Sequence, residues 1–283
     1  MSAKRKNHNQ TWIYGQVKKR TFSGVVCEQE VFITSGKCAL PDKYSEPRLR
    51  FHSEEERAAH KAGISRRAHA RLINANFRPG DLYATLTFDK KNECHSYDEC
   101  WTLLKRYIKR LRRKYPNAKI AYYCGRGENT NRFHVHLLSA GIPESFLIRK
   151  WGYGEIENVS ELRSHNFYNG IDYGADYTAL ANYLFDHWEP EQGPHRYHHT
   201  RNFEKPEVEE YTECRRRYSE EHPPVAPKGY KLVETRTTRY GYMYFKYVKE
   251  PRKPFLDFEE DPQRTKGTRK RRTRHRQETE EFF

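Results

Sequence analysis

The sequence predicts an α+β fold, in which an antiparallel β-sheet carries helices packed on one side. Along the chain the patterns follow the order strand, helix, strand, strand, helix, strand, helix, which suits such a layered arrangement. The helical segments repeat apolar residues at helical spacing, and the strand segments are rich in β-branched and aromatic residues. The 283 residues are enough for one large domain or two small ones.

The N-terminal part of the chain is predicted to contain short strands followed by helix. Residues 1 to about 50 are basic and include strand-like pieces such as "GVVCEQEVFIT". Residues 53–77 predict two helices separated by a break at Gly63. Ser53 and Glu56 form a capping box where the first of these helices begins.

The middle of the chain carries the clearest patterns. The segment "RPGDLYATLTFDKK" predicts a turn followed by a strand. A helix is predicted for "SYDECWTLLKRYIKRLRRKYP", with Ser96 and Glu99 as a second capping box and Pro116 just beyond the end. "KIAYYC" and "RFHVHLLSA" predict two strands joined by the turn-like "GRGENTNR".

The remaining segments predict further elements and then a tail. "PESFLIRKWG" predicts a short helix, "GEIENV" a strand, residues 176–188 another helix, and "ETRTTRYGYMYFKYVK" a hairpin. The last residues are densely charged and low in apolar content, which is typical of a disordered tail. The predicted organisation is a basic N-terminal segment (1–50), a central domain with its preceding helices (51–206), an extension with the hairpin (207–262) and the disordered tail (263–283).

The charge balance indicates a polyanionic partner. Lys and Arg total 53 against 38 Asp and Glu, and the formal net charge is +15. Such an excess favours nucleic acid as a partner over a role in solubility alone. The 21 tyrosines add rings that can stack on unpaired bases, which favours a single strand. The arginine-rich helix side that begins at Arg66 is either solvated or in contact with phosphates. The candidate DNA contacts are Arg66, Arg67, Arg71, Arg126 and Arg132.

Cysteine spacing and hydropathy predict a cytoplasmic protein. The 6 cysteines are scattered without a CxxC pair, so neither a zinc knuckle nor a disulfide scaffold is indicated. Free thiols in a reducing cytosol are therefore expected. We also expect no signal peptide and no membrane span, because the sequence has no suitable apolar N-terminal segment and no run of about eighteen apolar residues.

The segment "RFHVHLLSA" places His134 and His136 one residue apart in a predicted strand. Successive strand side chains point to opposite faces, so the two imidazoles share one face and the apolar neighbours point the other way. The pair either binds one metal ion or belongs to an exposed face that happens to carry histidines. Glu128, in the loop upstream, could complete a site of imidazole and carboxylate ligands, which suits Mn²⁺ or Mg²⁺.

Two tyrosines lie on the predicted helix 176–188. Tyr177 falls in the apolar stripe and is assigned to the core, whereas Tyr183 falls outside the centre of that stripe, beside His187 one turn later. A phenol has an ordinary pKa of about 10 and is a poor nucleophile, but a divalent ion that offsets phosphate charge makes its attack on a phosphodiester plausible. The product is a phosphotyrosine linkage that permits later rejoining. A histidine–metal site with such a tyrosine suits an enzyme that nicks and joins DNA.

These motifs resemble those of the HUH endonuclease superfamily, named for its histidine–hydrophobe–histidine motif. The chain looks closest to the rolling-circle replication initiators of phages and plasmids, the gene II-like branch. "YATLTFDK" is similar to the first family motif, "FHVHLL" to the second, and "ALANYLFDH" falls where the third places its catalytic tyrosine. "NANFRPGD" and "HHTRNFEKP" also look like this branch, so the similarity spans roughly residues 74–206.

The resemblance implies an RRM-like fold with a metal ion on the antiparallel sheet. It implies that His134, His136 and, less directly, Glu128 are metal ligands. It also implies nicking of single-stranded or hairpin origin DNA in a bacterial or phage-infected cell, with Tyr183 linked to the 5′ phosphate and a 3′-OH left as primer. A single exposed tyrosine favours a single-nucleophile cycle. Because the sequence has no GxxxxGK[ST] motif, a separate helicase and DNA polymerase would be required.

One position departs from the family pattern. Relatives commonly have a lysine about one turn after the tyrosine, whereas this chain has Asp186. We expect His187 or the ion itself to supply the positive charge. The alternative functions are a non-catalytic single-stranded DNA-binding protein, and a transposase or conjugative relaxase of the same superfamily.

Overall fold

The computed structural model describes residues 15–34, 53–127, 130–187, 189, 196–238 and 241–250. The predicted tail at 263–283 lies outside these residues. The helices are α1 (Glu54–Asn76), α2 (Tyr97–Lys114), α3 (Glu144–Trp151) and α4 (Thr178–Asp186). The strands are β1 (Gly15–Ser23), β2 (Val26–Thr34), β3 (Leu82–Thr87), β4 (Lys119–Arg126), β5 (Phe133–Ala140), β6 (Ile156–Glu161), β7 (Phe167–Tyr168), β8 (Ile171–Asp172), β9 (His198–His199), β10 (Glu207–Val208), β11 (Thr212–Glu213), β12 (Tyr230–Thr237) and β13 (Met243–Lys249).

The first sheet joins the N-terminal and C-terminal parts of the described chain. Its strand order is β10-β1-β2-β13-β12, and β11 also pairs with β1. The predicted C-terminal hairpin is confirmed as β12 and β13. Strand β13 pairs antiparallel with β2, so the segments predicted as separate terminal parts share one sheet. The β1–β2 hairpin and the β12–β13 hairpin therefore pair through β2 and β13, and neither of these strands is left as an unpaired edge.

The second sheet contains the predicted central strands. Its order is β6-β3-β5-β4-β9, and its pairs are antiparallel. Between β3 and α4 the elements follow the predicted order, apart from the additional short strands β7 and β8. The α+β class predicted from the sequence is therefore confirmed.

Helices cover both faces of the second sheet, so the prediction of helices on one side is wrong. Residues from α2 and α3 pack with Leu86, Val135 and Leu137 in one core cluster. Residues from α1 and α4 pack with Tyr123 and Leu138 in a second cluster. Alternate residues of β4 and β5 point to opposite faces, so this cluster lies on the other face of the sheet. These strands carry large apolar residues at both parities, and each apolar face needs its own cover.

Helix α1 runs through Gly63 without interruption, so the predicted break there is also wrong. A glycine inside a helix costs only about 1 kcal/mol relative to alanine. The burial of Ala70, Ile73 and Phe77 against the second sheet offsets that cost. At the start of the helix, the Ser53 hydroxyl accepts a hydrogen bond of 3.1 Å from the Glu56 amide, as predicted.

Among the described residues, none of the helices has the length and apolar content of a membrane span.

The expectation that all cysteines are free thiols is wrong for one pair. A disulfide joins Cys100 of α2 to Cys124 of β4 across the core under the second sheet. Cys27, Cys94 and Cys214 are free, and Cys38 lies outside the described residues. Burial raises the pKa of the Cys27 thiol to about 12, so this thiol is not poised for reaction.

Candidate metal centre

Strand β5 places both of its histidines on the face of the second sheet that α1 and α4 cover. Phe133, Val135 and Leu137 point the other way, into the core beneath α2 and α3. This is the alternation expected of a strand. His136 is buried and His134 is half-buried, and their Nε2 atoms lie 3.1 Å apart.

A third imidazole joins this pair from the end of α4. His187 follows directly after the helix, and the ligand atoms of His134, His136 and His187 all lie within 4.8 Å of one another. We call these three residues the histidine cluster. The sequence assigned His187 only a supporting role near the tyrosine, and its place in the cluster was missed. Glu128, the predicted carboxylate ligand, lies outside the described residues.

Each imidazole in the histidine cluster uses its other nitrogen for a protein contact. The Nδ1 of His187 lies 3.0 Å from the Tyr183 carbonyl oxygen, which can only accept, so Nδ1 carries the proton and Nε2 the lone pair in the neutral ring. The Nδ1 of His136 lies 2.8 Å from the Tyr83 hydroxyl oxygen. His134 bonds to the backbone of Arg132. Partners of this kind orient imidazoles that ligate metals.

The environment favours the neutral form of the two strand histidines, His134 and His136. Burial lowers the pKa of His136 to about 3, with further lowering by the neighbouring His134 and His187. Burial also lowers the pKa of His134, as does His187, while the Arg132 backbone, Glu157 and Glu189 act in the opposite direction. Neutral imidazole is the form that binds a metal.

The distance between the ligand nitrogens of His134 and His136 fits one metal ion. Two nitrogens each about 2.1 Å from an ion lie roughly 3 Å apart when they subtend a right angle at it. The observed 3.1 Å between the Nε2 atoms of His134 and His136 matches that arrangement.

Strand β4 leaves space for the cluster by having a glycine opposite His134. Gly125 pairs with His134 in the register of β4 and β5. A Cβ at Gly125 would lie 3.1 Å from His134 Nε2 and 3.3 Å from His187 Cδ2. A larger residue would therefore displace two of the three imidazoles. Only the strand register reveals this role, which the sequence did not indicate.

Tyr183 lies beside the histidine cluster and is open to solvent. Its ring centroid is 4.3 Å from that of His187 and 5.7 Å from that of His136. The residue is 49% exposed, so a substrate can approach it from solvent. Tyr177, on the same helical segment, is buried and donates a hydrogen bond of 3.0 Å to the Arg163 carbonyl. The two tyrosines therefore occupy the core and the exposed side, as the sequence predicts.

Two of the arginines predicted to contact DNA make ion pairs inside the protein. Arg71 of α1 binds Glu28 and lies 3.0 Å from Glu30, and both carboxylates are buried on β2. Arg67 lies 2.7 Å from Glu30. Tyrosine hydroxyls complete the remaining contacts. We call this group the arginine–glutamate network; its members are Glu28, Glu30, Arg67, Arg71, Tyr242 and Tyr244.

The other three predicted DNA contacts make interactions of different kinds. Arg66 pairs with Asp186 of α4, and both side chains are about half exposed. Arg126 stacks over Phe133 with its guanidinium carbon 5.0 Å from the ring centroid. Arg132 is exposed and donates a hydrogen bond of 2.7 Å to the Phe88 carbonyl.

The comparisons with known proteins identify no relative: no family model, curated protein or solved structure matches the chain.

Proposed function

We propose that this protein is a metal-dependent tyrosine-type nickase and ligase that initiates rolling-circle replication on single-stranded or hairpin origin DNA. The observation that carries the proposal is the position of the exposed Tyr183 ring beside three converging imidazoles. A half-exposed tyrosine and three imidazoles, of which His136 is buried and the other two partly buried, meet at one point of the surface. A DNA phosphate at that point would contact both.

The fold supports the same proposal. Strands β3, β4, β5 and β6 with α2 and α3 follow the order βαββαβ, and the sheet order is β6-β3-β5-β4. This order supports the proposal that the unit has the ferredoxin-like arrangement of the RRM-like folds. It agrees with the HUH resemblance, in which the metal lies on the sheet and the tyrosine on a separate helix.

In the proposed reaction the Tyr183 hydroxyl loses its proton to solvent, which returns a proton to the leaving group, and the phenolic oxygen attacks the scissile phosphorus. A bond forms between that oxygen and the phosphorus, the bond from phosphorus to the 3′ oxygen breaks, and the departing oxygen takes a proton to become a 3′-OH. The 5′ phosphate remains attached to the tyrosine, so the bond energy is kept for rejoining. The exposed ring allows the DNA to approach without rearrangement of α4.

A divalent ion held by the histidine cluster, and by Glu128 in the family pattern, would act as a Lewis acid toward the phosphate oxygens. Of the two ions considered, Mn²⁺ suits the described ligands better, because they are all nitrogen and Mg²⁺ strongly prefers oxygen. The hydrogen bonds of His136 to Tyr83 and of His187 to the Tyr183 carbonyl orient the rings.

The ion pair between Arg66 and Asp186 suggests where the missing family lysine has its counterpart. Asp186 lies three residues after Tyr183 and binds the Arg66 guanidinium from α1. The Asp186 carboxylate stands at about the position where relatives have a lysine, and it holds the Arg66 cation against the helix that carries Tyr183. We propose that Arg66 contacts the DNA backbone there, with Arg126 and Arg132 as further contacts.

The proposal includes the partners and setting that the chemistry requires. A nickase without a helicase motif would act with a separate helicase and DNA polymerase, in the cytoplasm of a bacterial or phage-infected cell. A transposase or relaxase would use the same chemistry on a different DNA site. A binding protein without catalysis would bind the strand and never become attached to it.

The deciding experiment is adduct formation with labelled single-stranded origin DNA and Mn²⁺. Wild type is expected to form a protein–DNA adduct that survives denaturation, and Tyr183→Phe is expected to bind DNA but form none. Tyr168→Phe, which removes the hydroxyl of another exposed tyrosine, is the matched control and should form the adduct. Binding by wild type without any adduct, on candidate origins and with Mn²⁺ or Mg²⁺, would reject the enzyme and favour the binding protein.

A further inference from the structure

The hairpin formed by β7 and β8 presents large apolar side chains to solvent. Phe167 is 71% exposed, Tyr168 68% and Ile171 43%. All three lie within five consecutive residues, in the segment that follows β6 along the chain and precedes α4. Exposed apolar side chains concentrated in this way indicate a binding surface, whereas single ones scattered over a protein do not.

The hairpin is held in a defined conformation although it has no core of its own. Its two-residue turn places Asn169 at a φ of 49° and Gly170 at a φ of 76°, the left-handed backbone that closes a tight hairpin. At its base, the Tyr173 amide donates to the Asn166 carbonyl over 2.8 Å. The Asn166 side chain donates to the Gly174 carbonyl over 2.8 Å. The backbone that carries the two rings is therefore held in one conformation, which reduces the entropy lost on binding.

The two faces of the hairpin each carry one aromatic ring. Phe167 pairs with Asp172 and Tyr168 pairs with Ile171, so the two rings project from opposite faces. On the first face His165 stacks beside Phe167, with the ring planes 21° apart. A flat protein partner would cover one face and leave the ring on the other in water. Two separate flat objects, one on each face, fit this shape better.

We infer that this hairpin binds single-stranded DNA by stacking one unpaired base on Phe167 and another on Tyr168. The inference rests on the proposed function for the identity of the nucleic acid. Aromatic rings bind bases of any sequence through their π faces. Arg163, exposed just before the hairpin, supplies a positive charge for the DNA backbone. The negative charge of Asp172 on the hairpin is offset by Lys231. The same carboxylate accepts a hydrogen bond from the Gly174 amide and lies 2.8 Å from His165 Nδ1.

The test measures affinity for fluorescein-labelled oligothymidylate in EDTA, so that no cleavage contributes. The double variant Phe167→Ala with Tyr168→Ala is expected to bind at least tenfold more weakly, since stacking on one ring changes affinity by about fivefold or more. The double variant Phe167→Tyr with Tyr168→Phe keeps both rings and should bind like wild type. Ile148→Ala, which truncates an exposed apolar residue on α3, is the control for surface changes.

A strand of the same length with abasic sites separates stacking from charge. Wild type should lose affinity for the abasic strand, and the double alanine variant should discriminate less between the two strands. Equal affinity of wild type and the double alanine variant for oligothymidylate would overturn the inference. An equal loss of affinity of the double alanine variant for the normal and the abasic strand would also overturn it.

The outcomes for this inference and for the proposed function are distinguishable. If wild type never forms an adduct but the alanine variant loses base-dependent affinity, the nickase fails and the stacking surface stands. If the adduct forms and the variant binds as tightly as wild type, the stacking surface fails and the nickase stands.

Discussion

The histidine cluster and the arginine–glutamate network are both groups of polar side chains withdrawn from water, but they differ in how their bonding capacity is used. In the network, the carboxylates of Glu28 and Glu30 are met by Arg67, Arg71 and two tyrosine hydroxyls. In the histidine cluster, three imidazoles each have one nitrogen bonded to the protein and turn the other toward the remaining two.

This difference separates structure from function better than residue type or burial does. A network whose charges balance has completed its interactions within the protein, and it holds α1 to the first sheet. The Nε2 atoms of His134 and His136 lie 3.1 Å apart, so they share a proton in the absence of an ion, and a metal ion can replace that proton. The histidine cluster, in contrast, could hold a metal ion.

The largest expected effect is the loss of metal binding when the cluster is reduced to one imidazole. His134→Ala combined with His136→Ala should abolish Mn²⁺ binding, measured by calorimetry, and with it any metal-dependent cleavage. His222→Ala, at an exposed histidine in another part of the chain, is the control and should bind Mn²⁺ like wild type. Retained binding by the double variant would contradict the assignment of these ligands.

The network is expected to respond to substitution through stability and not through metal affinity. Arg71→Ala leaves Glu28 and Glu30 buried with less compensating charge and should lower the free energy of unfolding by about 3–5 kcal/mol. Arg66→Ala breaks a half-exposed pair and should cost less than about 1 kcal/mol. Denaturant unfolding checks both values. Similar losses in the two variants would mean that the comparison of the two regions is mistaken.

Tyr83 provides a finer test, because it contacts the cluster without belonging to it. Tyr83→Phe removes the hydroxyl 2.8 Å from His136 Nδ1 and should weaken Mn²⁺ binding by about 10- to 100-fold. Tyr122→Phe removes a partly buried hydroxyl from the opposite face of the sheet, where the ring packs against the core beneath α2. It should leave the affinity unchanged, and equal affinities of wild type and Tyr83→Phe would show that the hydroxyl does not orient the ligand.

The smallest effect concerns the pH dependence of stability from the network. Burial opposes ionisation of Glu30, but Arg71, the Tyr242 hydroxyl and Arg67 outweigh it and hold its pKa below the ordinary value of 4.5. The unfolded chain therefore takes up this proton first, so the contribution to stability is present above pH 4.5 and is lost as the pH falls below it. In urea unfolding, Glu30→Gln should lose less stability than wild type over that acidic range; equal losses would contradict the prediction.

The sequence alone determined the properties that depend on the periodicity of single elements. Alternation in β5 put His134 and His136 on one face, and helical spacing separated the core Tyr177 from the exposed Tyr183. The capping serines Ser53 and Ser96 accept the amide hydrogen bonds expected of them. These features are local, because a repeat of two or 3.6 residues fixes the direction of each side chain relative to its own element.

The tertiary structure decided which elements face one another. Arg66 and Arg71 lie on the same helix, yet one pairs beside the tyrosine and the other with buried carboxylates of β2, more than thirty residues away in sequence. His187 enters the cluster because α4 packs over the sheet face that carries His134 and His136, and Gly125 leaves room only through its register opposite His134. Contacts of this kind depend on chain packing between distant segments, about which the periodicity of any one segment carries no information.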